Sequence, residues 1–275
     1  VTKMKKSIMA NGCLPRSMSL IEQFELASEA GFDGIEIALN QEGFFSFDGP
    51  AADITTVGTF AQRTIPISGM LAGPMWQVSP TSNDAAERVE ALRLVRQSVV
   101  VAHDLGVDVL LLVPGTCKMD VPYEVAWNRA KAFIQSLLPE CEDLGVTLAV
   151  ENVWNKMLYT PMEMRLFLDQ INSPNAGCYF DAGNCAAFGW PQHWISCLGE
   201  RIKRVHVKGF RSSAGCHASG FVRLLEGDID WPAVFDGLRT IDYDGWVTVE
   251  IGPYELDARK HVFDLSTDMD VLFRI

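Results

Sequence analysis

The chain has 275 residues and a formal net charge of −12, and hydrophobic residues make up 48% of it. An acidic surface repels the phosphate backbone of DNA and RNA, so nucleic acid is not expected as a partner. No stretch approaches the ~20 consecutive apolar residues of a membrane-spanning helix, so no membrane partner is expected either.

The seven cysteines indicate the compartment. Their number is odd, and no two of them form a CxxC pair. A disulfide framework is therefore not expected, and a reducing compartment is favoured. The first residues, VTKMKKSIMANGCLP, contain lysines but no apolar stretch long enough for a signal peptide. We therefore predict a cytoplasmic protein.

In the first half of the chain, short β-rich runs alternate with longer stretches of helical periodicity. The run VDVLLLV is apolar throughout, which is typical of a strand that is buried on both faces. Gly31 and Gly106 directly follow the two helical stretches, at a position where glycine commonly ends a helix. In chain order, the pattern predicts a weak strand at 7–10, a helix at 19–30, strands at 31–39 and 67–71, a helix at 84–105 and a strand at 107–113.

The second half repeats this alternation. Gly145 ends one helical stretch, and Pro161 stands at the start of the next one, where proline is favoured. The pattern predicts helices at 125–144, 161–171, 194–198 and 231–241, and strands at 146–152, 176–184, 203–209 and 245–252.

About eight strand–helix units follow one another, which predicts an α/β protein with a parallel sheet covered by helices. The length is close to the ~250 residues of a complete (β/α)8 barrel. A doubly wound open sheet is the competing architecture, but no GxGxxG follows the first strand and no P-loop is present. We therefore predict a single (β/α)8 TIM barrel domain over residues 1–275.

Four of the predicted strands in the second half carry a charged or imidazole side chain at or next to their ends. In a barrel, the active site forms at the carboxyl ends of the strands. A charge buried there is costly unless it is paired or bound to a metal ion. The four residues are Glu151, Asp181, His206 and Glu250.

Two glutamates, one aspartate and one histidine form a mixed set of oxygen and nitrogen ligands. Such a set suits Mn²⁺, Mg²⁺ or Co²⁺ with open positions for water and substrate. It lacks the thiolates of a structural zinc site. We predict one divalent ion, with Mn²⁺ as the first choice. Glu36 ends an earlier strand, and its carboxylate either reaches the barrel mouth or bonds a loop amide.

The sequence resembles a known family, the xylose-isomerase-like TIM barrels. Within this family it is most similar to the sugar and sugar-phosphate isomerases and epimerases, such as ketose 3-epimerases. The order and spacing of several short segments carry the resemblance. They are GFDGIEI at 31–37, EN at 151–152, YFDAGN at 179–184, RVHVKGF at 204–210, EGDIDWPAVFDGL at 226–238 and DGWVTVE at 244–250.

The resemblance implies that Glu151, Asp181, His206 and Glu250 bind the metal ion and that Glu151 and Glu250 also act as the acid–base pair. The metal would bind the carbonyl oxygen and an adjacent hydroxyl of the substrate and stabilise an enediolate. One glutamate would remove a proton from the carbon beside the carbonyl, and the other would return one from the opposite face. We therefore expect an isomerase or epimerase of a ketose or ketose phosphate.

Residues near these strand ends are candidates for substrate binding. Asn184 stands where ketose 3-epimerases usually carry a histidine, and Gly209 stands where many relatives carry an aspartate. A free ketose and a phosphorylated sugar therefore both remain open. The candidate substrate-binding residues are Lys156, Lys208, Arg211, Asn184 and Trp154.

Two other functions remain open. A lyase or dehydratase acting beside a keto group would use the same metal and bases, because its intermediate is also an enolate. A non-catalytic sugar-binding barrel or partner subunit is the third reading, and an intact set of four ligands argues against it. Barrels of this kind often pair, so a homo-oligomer is possible.

Overall fold

The computed structural model describes residues 4–15, 17–254 and 256–275 of the chain. In them, eight parallel strands close into one barrel, in the order β1-β10-β7-β6-β5-β4-β3-β2. The predicted (β/α)8 barrel is thereby confirmed. The barrel strands are β1 (Lys5–Met9), β2 (Gly34–Ala38), β3 (Ile67–Leu71), β4 (Val109–Leu112), β5 (Thr147–Glu151), β6 (Ala176–Asp181), β7 (Ile202–Val207) and β10 (Trp246–Val249), and a separate two-stranded sheet consists of β8 (Gly209–Phe210) and β9 (Phe221–Val222).

Helices follow the strands along the chain, and the longer ones pack on the outside of the barrel. None of them, within the described ranges, is long and apolar enough to cross a membrane. The α-helices are α1 (Ala10–Cys13), α2 (Leu20–Glu29), α3 (Ala51–Arg63), α4 (Ala85–Asp104), α5 (Tyr123–Leu144), α6 (Pro161–Ile171), α7 (Ala182–Ala186), α8 (Pro191–Leu198), α9 (Trp231–Thr240) and α10 (Ala258–Leu272).

Local sequence signals set several of these helix ends. Thr160 caps α6 in a capping box with Glu163, and Pro161 occupies the first turn. Gly145 ends α5 in the left-handed conformation, at φ 68°, which a residue without a Cβ atom adopts at little cost. These signals explain why the predicted bounds of α5 and α6 agree closely with the structure.

Two long helices, α3 and α10, were absent from the predicted pattern. The short helices α1 and α7 were absent as well, and α7 takes up the last three residues of the strand predicted at 176–184. The helix α3 buries only Val57 and Ala61, so it has little of the periodic apolar signal that reveals a helix. The helix α10 buries Val262, Leu265 and Met269 at three- and four-residue spacing, although acidic residues separate them. Both helices pack against neighbours on the outside of the barrel, and neither provides a residue to the site described below.

The chain directly after β7 folds back on itself. The strands β8 and β9 pair antiparallel, with Gly209 opposite Val222 and Phe210 opposite Phe221. The sequence pattern predicts a strand that ends at residue 209 and no further strand before the helix at 231–241. A Cβ atom on Gly209 would lie 2.1 Å from the carbonyl oxygen of Arg223. A side chain at position 209 is thus excluded by the returning strand, which explains the glycine there.

Candidate active site

Four side chains meet at the carboxyl end of the barrel. Glu151 and Asp181 are the last residues of β5 and β6, His206 lies one residue before the end of β7, and Glu250 directly follows β10. One ligand atom from each lies within 4.8 Å of those of the other three. The four residues predicted from the strand ends are therefore neighbours, and their cluster can hold one metal ion.

The imidazole of His206 lies among the three carboxylates. Its Nδ1 atom is 3.3 Å from Oε1 of Glu151, 3.6 Å from Oε2 of Glu250 and 3.9 Å from Oδ2 of Asp181. In the barrel, β6 and β7 separate β5 from β10. Glu151 and Glu250 therefore stand on opposite sides of the cluster.

Lys208 provides a positive charge to the same cluster. Its Nζ atom lies 2.9 Å from Oδ2 of Asp181 and contacts Oε2 of Glu250. Yet Oδ2 of Asp181 is buried and accepts no well-aligned hydrogen bond. A buried oxygen of this kind, in a set of three carboxylates and one imidazole, fits a divalent cation that takes oxygen and nitrogen ligands.

The other ring nitrogen of His206 faces a fourth carboxylate. Its Nε2 atom lies 2.9 Å from Oε1 of Glu36, and the hydroxyl of Tyr179 donates to Oε2 of the same residue. Glu36 and Tyr179 are both fully buried. Glu36 stands near the carboxyl end of β2, so the strand-end position that indicated the other carboxylates also indicates Glu36. Tyr179 gives no such signal, because an aromatic residue in a buried strand is ordinary.

The excess of carboxylates alters the acid–base properties of the cluster. Burial raises the pKa of Glu151 to about 7, against the opposing effect of His206. Burial alone would lower the pKa of His206, but Glu36 and Glu151 raise it well above its usual value. Burial also disfavours the charged form of Glu250, but Lys208 and His206 together lower its pKa. The cluster thus attracts protons and cations.

Asn184 and Trp154, two of the predicted substrate-binding residues, lie next to the cluster. The Asn184 side chain donates to Oε1 of Glu151 at 3.4 Å, and its backbone N–H donates to Oδ1 of Asp181 at 2.7 Å. The indole of Trp154 donates to the carbonyl oxygen of Asn184 at 2.9 Å. Asn184 therefore orients two of the three carboxylates of the cluster.

The three predicted cationic residues have different environments. Lys208 is buried in the cluster, whereas Lys156 and Arg211 are exposed on loops at the carboxyl end of the barrel. The backbone of Lys156 is left-handed, at φ 64°, and its N–H donates to the Tyr159 hydroxyl. Lys156 and Arg211 are free to contact a substrate, while Lys208 is already engaged with carboxylates.

A cleft of about 650 Å³ opens beside Glu250. Lys208 and Phe221 line it together with Arg223 and the backbone of Gly252. A volume of this size is within the ~300–1,000 Å³ of pockets that hold small molecules. Glu250 is therefore the member of the cluster that a ligand in this cleft meets first.

Four aromatic rings form what we call the aromatic wall. Trp154 stacks on Phe221, with ring centroids 5.0 Å apart, and meets Phe188 and Phe210 edge to face at 5.9 and 6.2 Å. The ammonium of Lys208 lies 5.0 Å from the centroid of the Phe221 ring. The apolar wall thus borders the charged cluster.

Comparisons with known proteins bear on the family and the fold. The family model described as xylose isomerase-like TIM barrel matches residues 24–266. The chain is 24% identical over 246 residues to the L-ribulose-5-phosphate 3-epimerase UlaE of Escherichia coli, covering 86% of this chain and 84% of that protein.

Solved structures share the fold. A D-psicose 3-epimerase with D-tagatose, from Clostridium cellulolyticum H10, superposes with a TM-score of 0.82 at 18% identity, covering 99% of each chain. The IOLI protein with a bound zinc atom also gives a TM-score of 0.82 at 18% identity, covering 98% of each chain.

Proposed function

The chain belongs to the xylose isomerase-like TIM barrel family, and we propose that it is a divalent-metal-dependent isomerase or epimerase of a ketose or ketose phosphate. The observation that carries the proposal is the placement of two glutamates on opposite sides of one cluster of ligands. Glu151 and Glu250 flank Asp181 and His206 in the strand order of the barrel.

Glu151, Asp181, His206 and Glu250 would hold the metal ion, and we propose Mn²⁺, with Mg²⁺ or Co²⁺ as alternatives. When bound, a divalent ion supplies positive charge beside an oxygen that becomes negative as a proton leaves the neighbouring carbon. The zinc atom of the similar IOLI protein supports a metal in this fold.

The two glutamates provide the proton transfer. A carbon held between them has a carboxylate on each face, so one can remove a proton while the other returns one from the opposite side. This inverts the carbon, whereas one carboxylate acting alone on a single face would move the carbonyl group. Proton transfer by a carboxylate placed in this way typically accelerates the step by ~100- to 10,000-fold.

Other residues would bind and orient the sugar. The cleft beside Glu250 provides space for it, and the aromatic wall gives an apolar surface for its carbon skeleton. We propose that Lys208 and Asn184 hold the reacting end, since both contact the clustered carboxylates. Trp154 belongs to the wall, and Lys156 and Arg211 are exposed cations that a phosphate group would attract.

The relatives support a sugar substrate of this class. One is named an L-ribulose-5-phosphate 3-epimerase, and another is a D-psicose 3-epimerase solved with D-tagatose. All seven cysteines are free thiols, in keeping with the cytoplasmic location that we propose.

The test is deuterium incorporation from D2O into a panel of ketoses and ketose phosphates, with and without Mn²⁺. The panel contains L-ribulose, L-ribulose 5-phosphate, D-tagatose and D-psicose. We expect metal-dependent exchange at a carbon next to the carbonyl. We expect Glu151→Gln and Glu250→Gln each to lower the exchange rate by ~100- to 10,000-fold, because each removes one acid–base group.

Glu200→Gln is the matched control. Glu200 is exposed and precedes β7, at the opposite end of the barrel from the cluster. It should exchange at the wild-type rate. Exchange that survives in both cluster variants would refute the two-glutamate mechanism. Metal-dependent loss of water from the sugar would instead support a lyase or dehydratase.

A further inference from the structure

Glu36 is a buried carboxylate that the proposed proton transfer does not use. It lies on β2, and its side chain reaches across the barrel interior to β7 and β6. Both of its oxygens have partners, namely Nε2 of His206 at 2.9 Å and the hydroxyl of Tyr179. A charge buried this deeply persists only when it is paired in this way.

The hydrogen bond from His206 determines which ring nitrogen can bind a metal ion. A neutral imidazole has one N–H and one lone pair, and an ionised carboxylate can only accept. In the neutral ring that binds a metal ion, the proton is therefore held on Nε2, facing Glu36. The lone pair is left on Nδ1, which is the atom that faces Glu151, Asp181 and Glu250.

The backbone around Glu36 is arranged for this contact. The pairing of β2 with β3 shifts between Ile35 and Glu36, so that Glu36 lies opposite Gly69. A Cβ atom on Gly69 would lie 3.0 Å from the Tyr179 hydroxyl and 3.3 Å from Oε2 of Glu36. The irregular register and the missing side chain thus leave space for the pair of Glu36 and Tyr179.

We infer that Glu36, held in place by Tyr179, is a positioning residue that fixes the ring orientation and tautomer of His206, so that Nδ1 can bind a divalent ion. The inference rests on the proposed function, because it needs a metal ion at the four-residue cluster. Partners of this kind behind a metal-binding histidine typically change metal affinity by ~10- to 100-fold.

The experiment compares variants that remove the carboxylate to different degrees. Glu36→Met keeps a similar volume and removes both acceptor oxygens, whereas Glu36→Gln keeps one. Tyr179→Phe removes only the hydroxyl that holds Glu36. Ser68→Ala is the control. The Ser68 hydroxyl pairs with that of Ser7 at 2.5 Å inside the barrel and, among the described residues, has no hydrogen bond to the four clustered residues.

Two quantities are measured on each purified full-length variant. The first is the dissociation constant for Zn²⁺, by competition with a chelating dye. The second is the protonation pattern of the ring nitrogens in the zinc-loaded protein, by ¹⁵N NMR with labelled histidine. The chain has five histidines, so the signals of His206 can be assigned by comparison with a His206→Asn variant.

We expect Glu36→Met to weaken zinc binding by about 100-fold, Glu36→Gln by about 10-fold and Tyr179→Phe by less. The wild type should show the proton of His206 on Nε2, and Glu36→Met should lose this pattern. Ser68→Ala should bind zinc as the wild type does, even if it unfolds at a lower temperature. If Glu36→Met fails to fold, the order of Glu36→Gln, Tyr179→Phe and Ser68→Ala decides.

Unchanged zinc affinity and unchanged His206 signals in the folded Glu36 variants would overturn this inference alone, and the proposed function would stand. A wild-type protein that binds neither Zn²⁺ nor Mn²⁺ would overturn the proposed function, and the inference with it.

Discussion

Two buried cations lie at opposite ends of β7. Arg204 lies near the start of the strand, and its donors meet the carbonyl oxygens of Ser68 and Lys203 at 3.0 and 2.8 Å and the mostly exposed carboxylate of Asp108 at 2.5 Å. Lys208 lies just after the end of the strand, where it meets two carboxylates of the cluster. Burial is similar in the two cases, but the partners differ.

The partners of a buried cation indicate whether it belongs to a functional site. Arg204 donates mainly to neutral backbone carbonyl groups. Its role is therefore to stabilise the amino end of the barrel. Lys208 stands among carboxylates that outnumber the cations around them. The excess negative charge of such a cluster can attract a further cation. The surroundings of Arg204 carry no such excess. The two ends of one strand can therefore be told apart by experiment.

The largest expected effect comes from Lys208→Met. Removing one partner of a buried ion pair costs about 3–5 kcal/mol, because Asp181 and Glu250 lose their counter-charge. We expect this loss in the presence of a chelator and a large recovery on addition of Mn²⁺, which would supply charge to the same carboxylates. Denaturant unfolding under both conditions measures it. Equal stability with and without Mn²⁺ would contradict the account of this end of the barrel.

Arg204→Met should have a smaller effect that no metal ion corrects. It leaves the carbonyl groups of Ser68 and Lys203 without their donors, which costs about 1–3 kcal/mol of unfolding free energy. The same unfolding experiment should give equal losses with chelator and with Mn²⁺, and the deuterium exchange rate of the folded variant should remain that of the wild type. Recovery of the unfolding free energy of Arg204→Met on addition of Mn²⁺ would contradict the distinction between the environments of Arg204 and Lys208.

Much of the fold could be predicted because apolar strands recur between helices with clear end signals. VDVLLLV is apolar throughout, which favours a buried strand from local sequence alone, and Gly145 ends a helix by its own conformational freedom. The helix α3 was missed because only Val57 and Ala61 face the core. The hairpin of β8 and β9 was missed because its pairing depends on tertiary contacts around Gly209, which no local pattern reports.

The candidate site could be predicted to the extent that position along a strand implies position in a barrel. Glu151, Asp181, His206 and Glu250 lie together for this reason, and their roles stay predictions. The sequence left the role of Glu36 open, since its contact with His206 spans the barrel interior. Likewise, no pattern in the sequence could indicate that Lys208 is buried between Asp181 and Glu250 while Lys156 and Arg211 stay exposed.

The most direct test is a calorimetric titration of Mn²⁺ into the metal-stripped wild type and into Asp181→Asn. This substitution removes a ligand charge and keeps the helix cap, because an asparagine oxygen can accept the N–H of Asn184 as Oδ1 of Asp181 does. We expect one ion per wild-type chain and much weaker binding in the variant. A wild type that binds no ion, or a variant that binds one with unchanged affinity, would contradict this expectation.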